Sequence, residues 1–158
     1  MNYNLKIIHK EEYQTSYWSG GTTTQMLIFP EHSSYALRDF AFRISSATVD
    51  LDKSEFTELK GINRYITPLD NLLRLTHNNK DFIDLQPFEV YNFSGAIPTT
   101  SYGKAKDFNL MLSEKASGNL KSVKIDKVYT MTLFKETLEA GFENRFEILI
   151  SPFHDLNI

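Results

Sequence analysis

The amino-acid sequence predicts an all-β fold, a sandwich or barrel built from many short strands. Polar and apolar residues alternate in several segments, as they do in a strand whose side chains point to opposite faces in turn. Turn-forming residues separate these segments at roughly ten-residue intervals, which is typical of all-β domains. Helical patterns are sparse: residues 11–13 and 54–58 could each form one turn, and residues 135–140 form either a short helix or part of a hairpin.

Length and composition bound the domain organisation. The 158 residues suit one domain, and a hydrophobic content of 41% with 12 Phe, 8 Tyr and one Trp is enough for a core. We therefore expect residues 1–158 to form a single domain. The polar segment at residues 113–121 would divide it into two β halves.

Composition also excludes several classes of function. A net charge of −3 argues against a nucleic-acid binder. The absence of cysteine excludes disulfides, thiolate nucleophiles and cysteine-ligated metals, and it agrees with a cytoplasmic protein. The longest apolar run, residues 26–29, is too short to span a membrane, and the first residues lack the pattern of a signal peptide.

The sequence contains no motif for a metal or a cofactor. The four histidines are too far apart in the chain to give the spacing of a metal site; they are His9, His32, His77 and His154. There is no phosphate-binding loop, dinucleotide fingerprint or serine nucleophile elbow. We expect neither a metal nor a cofactor.

The strand predicted at residues 40–49 has two different faces. Phe40, Phe42 and Ile44 form an apolar face. Arg43 lies on the other face among alanines and serines, which leave room around its guanidinium group for a carboxylate. The alternative is a strand arginine that points into solvent.

Further strands follow along the chain. Residues 72–75 and 82–85 flank a turn sequence at 77–81, His-Asn-Asn-Lys-Asp, and predict a hairpin. The other segments with alternating, β-branched or aromatic composition are 89–93, 107–112, 123–129, 129–134 and 146–150.

Residues 18–25 are the most unusual segment. They contain the only tryptophan, Trp18, the only Gly-Gly pair and three consecutive threonines. Hydroxyls and an amide beside an indole would suit the rim of a polar ligand site, with Trp18, Thr24 and Gln25 as contacts. The alternative is a structural tryptophan at the start of a strand, with a β-bulge at the glycines.

The strand at residues 107–112 carries a second candidate site. Asp107 and Asn109 lie two residues apart and share a face, where both need hydrogen-bond partners if they are buried. They could meet a ligand, or Asp107 could pair with Arg43 or Arg64 and close the barrel. Arg64 follows a turn and is a second candidate for binding a carboxylate, after Arg43.

Five blocks, in order, resemble the HutD/Ves family. The Trp-Ser-Gly-Gly-Thr-Thr-Thr-Gln block at 18–25 resembles the N-terminal signature of the family, and residues 40–47 resemble its aromatic-Arg-x-Ser-x-Ala strand. Residues 56–64 are similar to its Phe-x-x-Phe-x-Gly-x-x-Arg segment, residues 86–95 to its Pro-Phe and Phe-x-Gly turn, and residues 107–111 to its Asp-Phe-Asn-x-Met strand. The resemblance covers some three fifths of the chain.

This resemblance implies a cupin-like β-barrel, a bicupin in which two small barrels pack together. It also implies a link to histidine utilisation or stress response, and a pocket for a small organic acid such as a formylated amino acid. Gln25 departs from the family block, which often ends in glutamate, so a general-base carboxylate is missing at that position. The two-histidine metal motif of many cupins is missing as well.

Three functions remain open on the sequence. We favour a metal-free protein that binds a small carboxylate over an enzyme. An enzyme would use Asp107 as general acid or base and Arg43 as the carboxylate anchor. A structural protein would form a homodimer through its strand edges. The residues expected at the ligand are Trp18, Thr24, Gln25, Arg43, Arg64, Asp107 and Asn109.

Overall fold

The structure is a computed structural model that describes residues 8–122. The strands predicted at 123–129, 129–134 and 146–150, the helix or hairpin at 135–140, and His154 lie outside the described residues. The division of the chain near 113–121 therefore stays a prediction.

The described residues form ten antiparallel strands after a short 3₁₀ turn at Lys10–Glu12. The strands are β1 (Gln14–Trp18), β2 (Gly21–Phe29), β3 (Phe42–Val49), β4 (Lys53–Glu55), β5 (Ile62–Pro68), β6 (Leu73–His77), β7 (Phe82–Leu85), β8 (Tyr91–Ser94), β9 (Thr99–Tyr102) and β10 (Ala105–Ser113). Six of them form a sheet in the order β1-β2-β3-β10-β5-β8, and four form a second sheet in the order β4-β9-β6-β7. The all-β prediction is confirmed.

The predicted hairpin is β6–β7, and its turn follows from two asparagines. Asn78 and Asn79 have φ angles of 53° and 54°, a left-handed conformation that asparagine adopts more readily than most residues. The Lys80 N–H donates to the His77 carbonyl at 3.0 Å and closes the turn. Two consecutive left-handed residues match the twist of the strands they connect.

The helical turn predicted at 54–58 is wrong. Ser54 lies in β4 and pairs with Ser101 of β9, whose hydroxyl donates to the Ser54 carbonyl at 3.3 Å. The Phe56 N–H continues this contact by donating to the Thr99 carbonyl at 2.9 Å. Ser54 is of a residue type that often caps a helix N-terminus. Pairing with β9 satisfies the backbone groups that a helical turn would have used, so this signal of one residue does not start a helix here.

Both faces of the six-stranded sheet are buried at β3 and β10. One face packs on the four-stranded sheet through an apolar cluster that joins both sheets: Ile66, Leu73, Leu75, Leu85, Phe93 and Ala105. The opposite face carries a second buried cluster: Phe42, Ile44, Phe108, Leu110 and Leu112. Because β10 alternates strictly, Asp107 and Asn109 face the four-stranded sheet and are buried.

A search of the described residues for membrane-spanning segments gives none: no helix there has the length and apolar character needed to cross a bilayer.

Candidate functional site

Strand pairing brings the two candidate arginines to the same part of one sheet face. Met111 of β10 lies opposite Arg43 of β3 on one side and Arg64 of β5 on the other. Two residues earlier on β10, Asn109 lies opposite Ser45 and follows Asp107 on the same face. Directly paired residues of antiparallel strands project to the same face. Arg43, Arg64, Asp107 and Asn109, which we call the polar cluster, are all buried.

Asn109 connects two of the three ionisable groups of the polar cluster, Arg64 and Asp107. Its Oδ1 accepts a hydrogen bond from Arg64 Nη2 at 3.0 Å, and its Nδ2 donates to Asp107 Oδ1 at 2.5 Å. Among residues 8–122, neither Arg64 nor Arg43 has a carboxylate within ion-pair distance. The expected alternative, a direct ion pair between Asp107 and one of these arginines, is therefore replaced by a bridge through an amide.

Arg43 is buried and has only neutral contacts in the described residues. Its Nε donates to Gln25 Oε1 at 2.8 Å and its Nη1 donates to Ser45 Oγ at 3.0 Å. The guanidinium group lies over the ring of Tyr35, 4.6 Å from the centroid. The alternative of a solvent-facing Arg43 is excluded, because only 5% of the residue is exposed.

A β-bulge in β2 aims Gln25 at Arg43. Gln25 lies opposite Ser45, and the register then shifts so that Leu27 lies opposite Ile44 and Ile28 opposite Arg43. The extra residue, Met26, places Gln25 and Ile28 on the same face although they are three positions apart. The bulge therefore lies four to five residues after the Gly-Gly pair at which the sequence suggested one.

Burial perturbs the charges of the polar cluster. It lowers the pKa of Arg43, and it lowers the pKa of Arg64 against the opposing attraction of Asp107. Burial also raises the pKa of Asp107 to about 6, against the charge of Arg64 and hydrogen bonds from Asn109 and the Ala47 backbone, which lower it. Of the two buried arginines, Arg64 is the one attracted by the charge of Asp107, whose pKa of about 6 lies close to neutral.

Arg64 has an unsatisfied donor. Its Nε is buried and has no hydrogen-bond partner within the described structure. Its guanidinium group lies over the rings of Phe56 and Phe93, with centroid distances of 4.6 and 5.3 Å. Buried polar atoms without a partner are rare and costly, and they often mark the place of a ligand or a water molecule.

Four residues around the polar cluster were not predicted as contacts. Tyr35 and Phe56 come from loops, which carry no strand pattern, and Ser45 was taken only as a small neighbour of Arg43. Phe93 belongs to a block noted for its family resemblance but has no polar group to suggest a site. The signal that could have identified the aromatic residues is a ring next to a buried cation, and this proximity is seen only in the folded structure.

The structure does not bring Thr24 or Trp18 to the polar cluster. Thr24 lies opposite Ser46, on the other face of the sheet, and its hydroxyl is 3.0 Å from that of Thr15. Trp18 ends β1, and its indole covers Gly20: a methyl group built on Gly20 would lie 2.1 Å from the Trp18 ring. Neither side chain contacts the polar cluster; Trp18 ends a strand instead of starting one, and the bulge of β2 lies at Met26 and not at the glycines.

Two cavities lie near the ends of the large sheet, and none of the four cluster residues lines either. One of about 440 Å³ lies beside the start of β5 and the end of β10, where Asn63, Ser94 and Ser113 line it. The other, of about 250 Å³, is lined by Glu12, Gln14, Gln25, Ile28 and Glu31, among others. Gln25 thus lines the second cavity and also contacts Arg43.

Both ring nitrogens of His77 form hydrogen bonds within the fold. Its Nδ1 lies 2.9 Å from Thr99 Oγ1 and its Nε2 lies 3.1 Å from the Tyr91 hydroxyl. Because the Thr99 hydroxyl already donates to the Ile97 carbonyl, Nδ1 is the protonated nitrogen and Nε2 accepts from Tyr91. Residues 8–122 contain no group of three or more His, Asp or Glu side chains placed to hold a metal ion.

Comparison with solved structures confirms a cupin-like fold. The chain is similar to HutD from Pseudomonas fluorescens SBW25, solved in a formate condition, with a TM-score of 0.59 and 24% identity; the match covers 68% of this chain and 59% of that one. A conserved protein of unknown function from Pseudomonas aeruginosa PAO1 matches with a TM-score of 0.58 and 23% identity, over 68% and 55% of the two chains. Oxalate decarboxylase from Bacillus subtilis matches with a TM-score of 0.53 and 8% identity, over 73% and 32%.

The chain therefore spans less than three fifths of the length of the two Pseudomonas proteins in these matches. No curated protein sequence matches it. The HutD family model matches residues 10–140, which include all ten strands and the whole polar cluster. On that match, the chain belongs to the HutD family.

Proposed function

We propose that this protein binds a small carboxylate in the polar cluster and acts as a sensor or carrier in histidine utilisation or in a stress response. The observation that supports this proposal is an imbalance of buried charge. Arg43 and Arg64 bring two guanidinium groups into the sheet interface, and Asp107 is the one carboxylate among the four cluster residues. An anionic guest would supply the second negative charge.

The donors of the cluster suit a planar anion. Guanidinium groups bind carboxylates through parallel N–H donors, and such charge-assisted hydrogen bonds are about twice as strong as neutral ones. Within the described structure, Arg64 Nε has no hydrogen-bond partner. Arg43 donates hydrogen bonds from Nε and Nη1 to neutral oxygens, which a carboxylate would displace. The cluster therefore supports recognition of a carboxylate better than of a neutral or cationic molecule.

The burial of the cluster favours a small recognised group. All four residues are at most 6% exposed, so a guest that contacts them would present a group as small as one carboxyl. Formate is the smallest probe with this group, and a formylated amino acid is the larger guest implied by the family resemblance. Both belong in the test.

Titration calorimetry with formate, acetate and a formylated amino acid tests the proposal. Formamide, which has the shape of formate without its charge, is the matched control ligand. We expect the carboxylates to bind and to raise the melting temperature, and formamide to do neither. The Arg43→Gln variant should lose binding, whereas Arg74→Gln, at an exposed arginine of β6, should retain it. Equal responses to formate and formamide, or full binding by Arg43→Gln, would contradict the proposal.

One observation favours an enzyme as the second candidate. Burial raises the pKa of Asp107 to about 6, which is near the range that suits a general acid or base at neutral pH. Against this, Asp107 is tied to Asn109 and to the Ala47 backbone, so its oxygens already have partners. If the protein turns over a carboxylate substrate, Asp107→Asn should abolish turnover but keep formate binding.

A homodimer is a third candidate and would arise at strand β1. All five residues of this edge strand are exposed, none is charged, and Tyr17 is 83% exposed. Unprotected edges of this kind can pair with a second copy. Light scattering after size-exclusion chromatography tests it: Tyr17→Lys should convert a dimer to a monomer, and a wild-type monomer would exclude this candidate.

A further inference from the structure

We infer that Gln25 is a specificity residue of the carboxylate site: its neutral carboxamide occupies the place on Arg43 that the guest carboxylate takes, and the guest enters from the cavity beside it. This inference rests on the proposed carboxylate binding. Arg43 accepts an anionic guest because the side chain beside it, Gln25, carries no charge.

The geometry at Arg43 Nε supports the first part. Gln25 Oε1 lies 2.8 Å from Nε, at hydrogen-bond distance, and carries no formal charge. The other contacts of Arg43, to Ser45 and Tyr35, are neutral as well. A guest carboxylate at the same position would form a charge-assisted bond and displace the weaker neutral one.

Gln25 is free enough to move aside. Its second hydrogen bond, from Nε2 to Gln14 Oε1, is 3.5 Å long, at the limit of a useful interaction. The side chain is half-buried and lines the cavity of about 250 Å³ on its other side. Rotation of this one side chain toward Gln14 would connect that cavity to Arg43.

The β-bulge makes this arrangement specific to Gln25. Without the extra residue at Met26, strand alternation would turn either Gln25 or Ile28 away from Arg43. The adjacent residue, Thr24, faces the other side of the sheet, so it cannot replace Gln25 at this contact.

The Gln25→Glu variant tests the inference, because it changes charge with almost no change of shape. An internal carboxylate on Arg43 Nε should compete with the guest and weaken formate binding by about tenfold or more. Gln86→Glu is the matched control: it makes the same change of side chain at an exposed residue between β7 and β8, which lines neither of the two cavities described. This control should keep formate binding within about threefold of wild type.

Gln25→Ala separates charge from structure. It removes the neutral competitor and leaves Arg43 Nε open, so formate binding should be kept or strengthened. If Gln25→Ala loses binding as completely as Gln25→Glu, then Gln25 serves to position Arg43 and not to leave it available to an anion. The inference then fails. If Gln25→Glu binds formate as tightly as wild type, the inference fails as well.

Melting curves without ligand give a second readout. A glutamate paired with Arg43 would have a folded pKa below its usual value of about 4.3, so its stabilisation is present above that pH and is lost as the pH falls through the folded pKa. Gln25→Glu should therefore gain melting temperature over Gln86→Glu between pH 3 and pH 6. If wild type does not bind formate at all, the proposed function fails. The melting curves still test the contact of residue 25 with Arg43: if the curves of the two glutamate variants run parallel, the inference is overturned.

Discussion

The Asn109 carboxamide donates a hydrogen bond of 2.5 Å to the Asp107 carboxylate inside the interface of the two sheets. The same carboxamide accepts from Arg64, so an uncharged group lies between the buried anion and the buried cation. This arrangement orients both charged groups while leaving Arg64 Nε without a partner. The stability and pH dependence of the protein should therefore report on these groups.

Asp107 should make stability fall as the pH rises through weak acidity. Its pKa is about 6 in the folded protein and near 3.9 in an unfolded chain, so the folded state holds the proton more tightly. The contribution of Asp107 to stability is then fully present below about pH 4, and on the order of 3 kcal/mol of it is lost as the pH rises from 4 to 7. Asp107→Asn should remove this loss in thermal melts recorded across that range.

Asp84→Asn is the control, because the contribution of Asp84 to stability changes with pH in the opposite direction to that of Asp107. A hydrogen bond from Arg74 lowers the pKa of Asp84, so this exposed carboxylate favours the folded state above its pKa. If the melting temperatures of wild type and Asp107→Asn run parallel from pH 4 to pH 7, the charge assigned to Asp107 is wrong.

Arg64→Ala should destabilise the protein far more than Arg74→Ala. Removing Arg64 takes away the charge that lowers the pKa of buried Asp107, leaves Asn109 Oδ1 without its donor and opens a cavity beside Phe56 and Phe93, a loss of about 3 kcal/mol or more. The Arg74 ion pair with Asp84 is exposed, and such pairs contribute little. Urea unfolding measures both, and similar losses for the two variants would contradict the assigned burial of Arg64.

Tyr35→Ala should cost about 1 kcal/mol through its contact with Arg43, because a cation over an aromatic ring is stabilised by the ring electrons. Tyr35→Phe keeps the ring and should retain most of this stability. Chemical unfolding of both variants checks the contact. A loss in Tyr35→Phe as large as that in Tyr35→Ala would assign the effect to the hydroxyl instead.

Gly20→Ala should displace the indole of Trp18. The added methyl group would lie 2.1 Å from the Trp18 ring and 2.9 Å from Leu51, and the half-exposed indole is the group that can move. We expect a loss of about 1 kcal/mol. A red shift of tryptophan fluorescence should accompany it, and this signal is specific because the chain has one tryptophan.

Gly118→Ala is the control for that substitution. The nearest atoms to an added methyl group there belong to Leu112 at 3.5 Å, an ordinary contact, so neither fluorescence nor stability should change. An unshifted spectrum for Gly20→Ala would show that the indole does not cover Gly20.

Much of the strand pattern was predictable because it is local. Alternation assigned the faces of β10 correctly, and those of β3 from Phe42 onward. Phe40 was wrongly predicted on the face of Phe42 and Ile44: it precedes β3 and packs with Ile28 and Met111 instead. The Asn78-Asn79 turn specified the β6–β7 hairpin. The prediction at Ser54 failed because a capping signal of one residue is weaker than strand pairing with β9. Local patterns decide a conformation only where no distant partner competes for the same backbone groups.

The site was predictable in its residue types but not in its geometry. Asp107 and Asn109 share a face by spacing alone, and Arg43 was identified by its small neighbours. That Arg64 contacts Asn109 depends on a hydrogen bond between residues 45 positions apart. The register of β10 with β3 and β5 decides this contact, and register depends on packing of the whole sheet.

The sequence by itself determined the β-class, the strand faces and the chemical character of the cluster, because these follow from side-chain period and composition. The tertiary structure decided three things: the amide bridge between Asp107 and Arg64, the cover of Tyr35 over Arg43, and the approach of Gln25 through a bulge. Each depends on pairing between segments far apart in the chain. Such pairing is selected by the burial of both sheet faces together, a condition that no single segment contains.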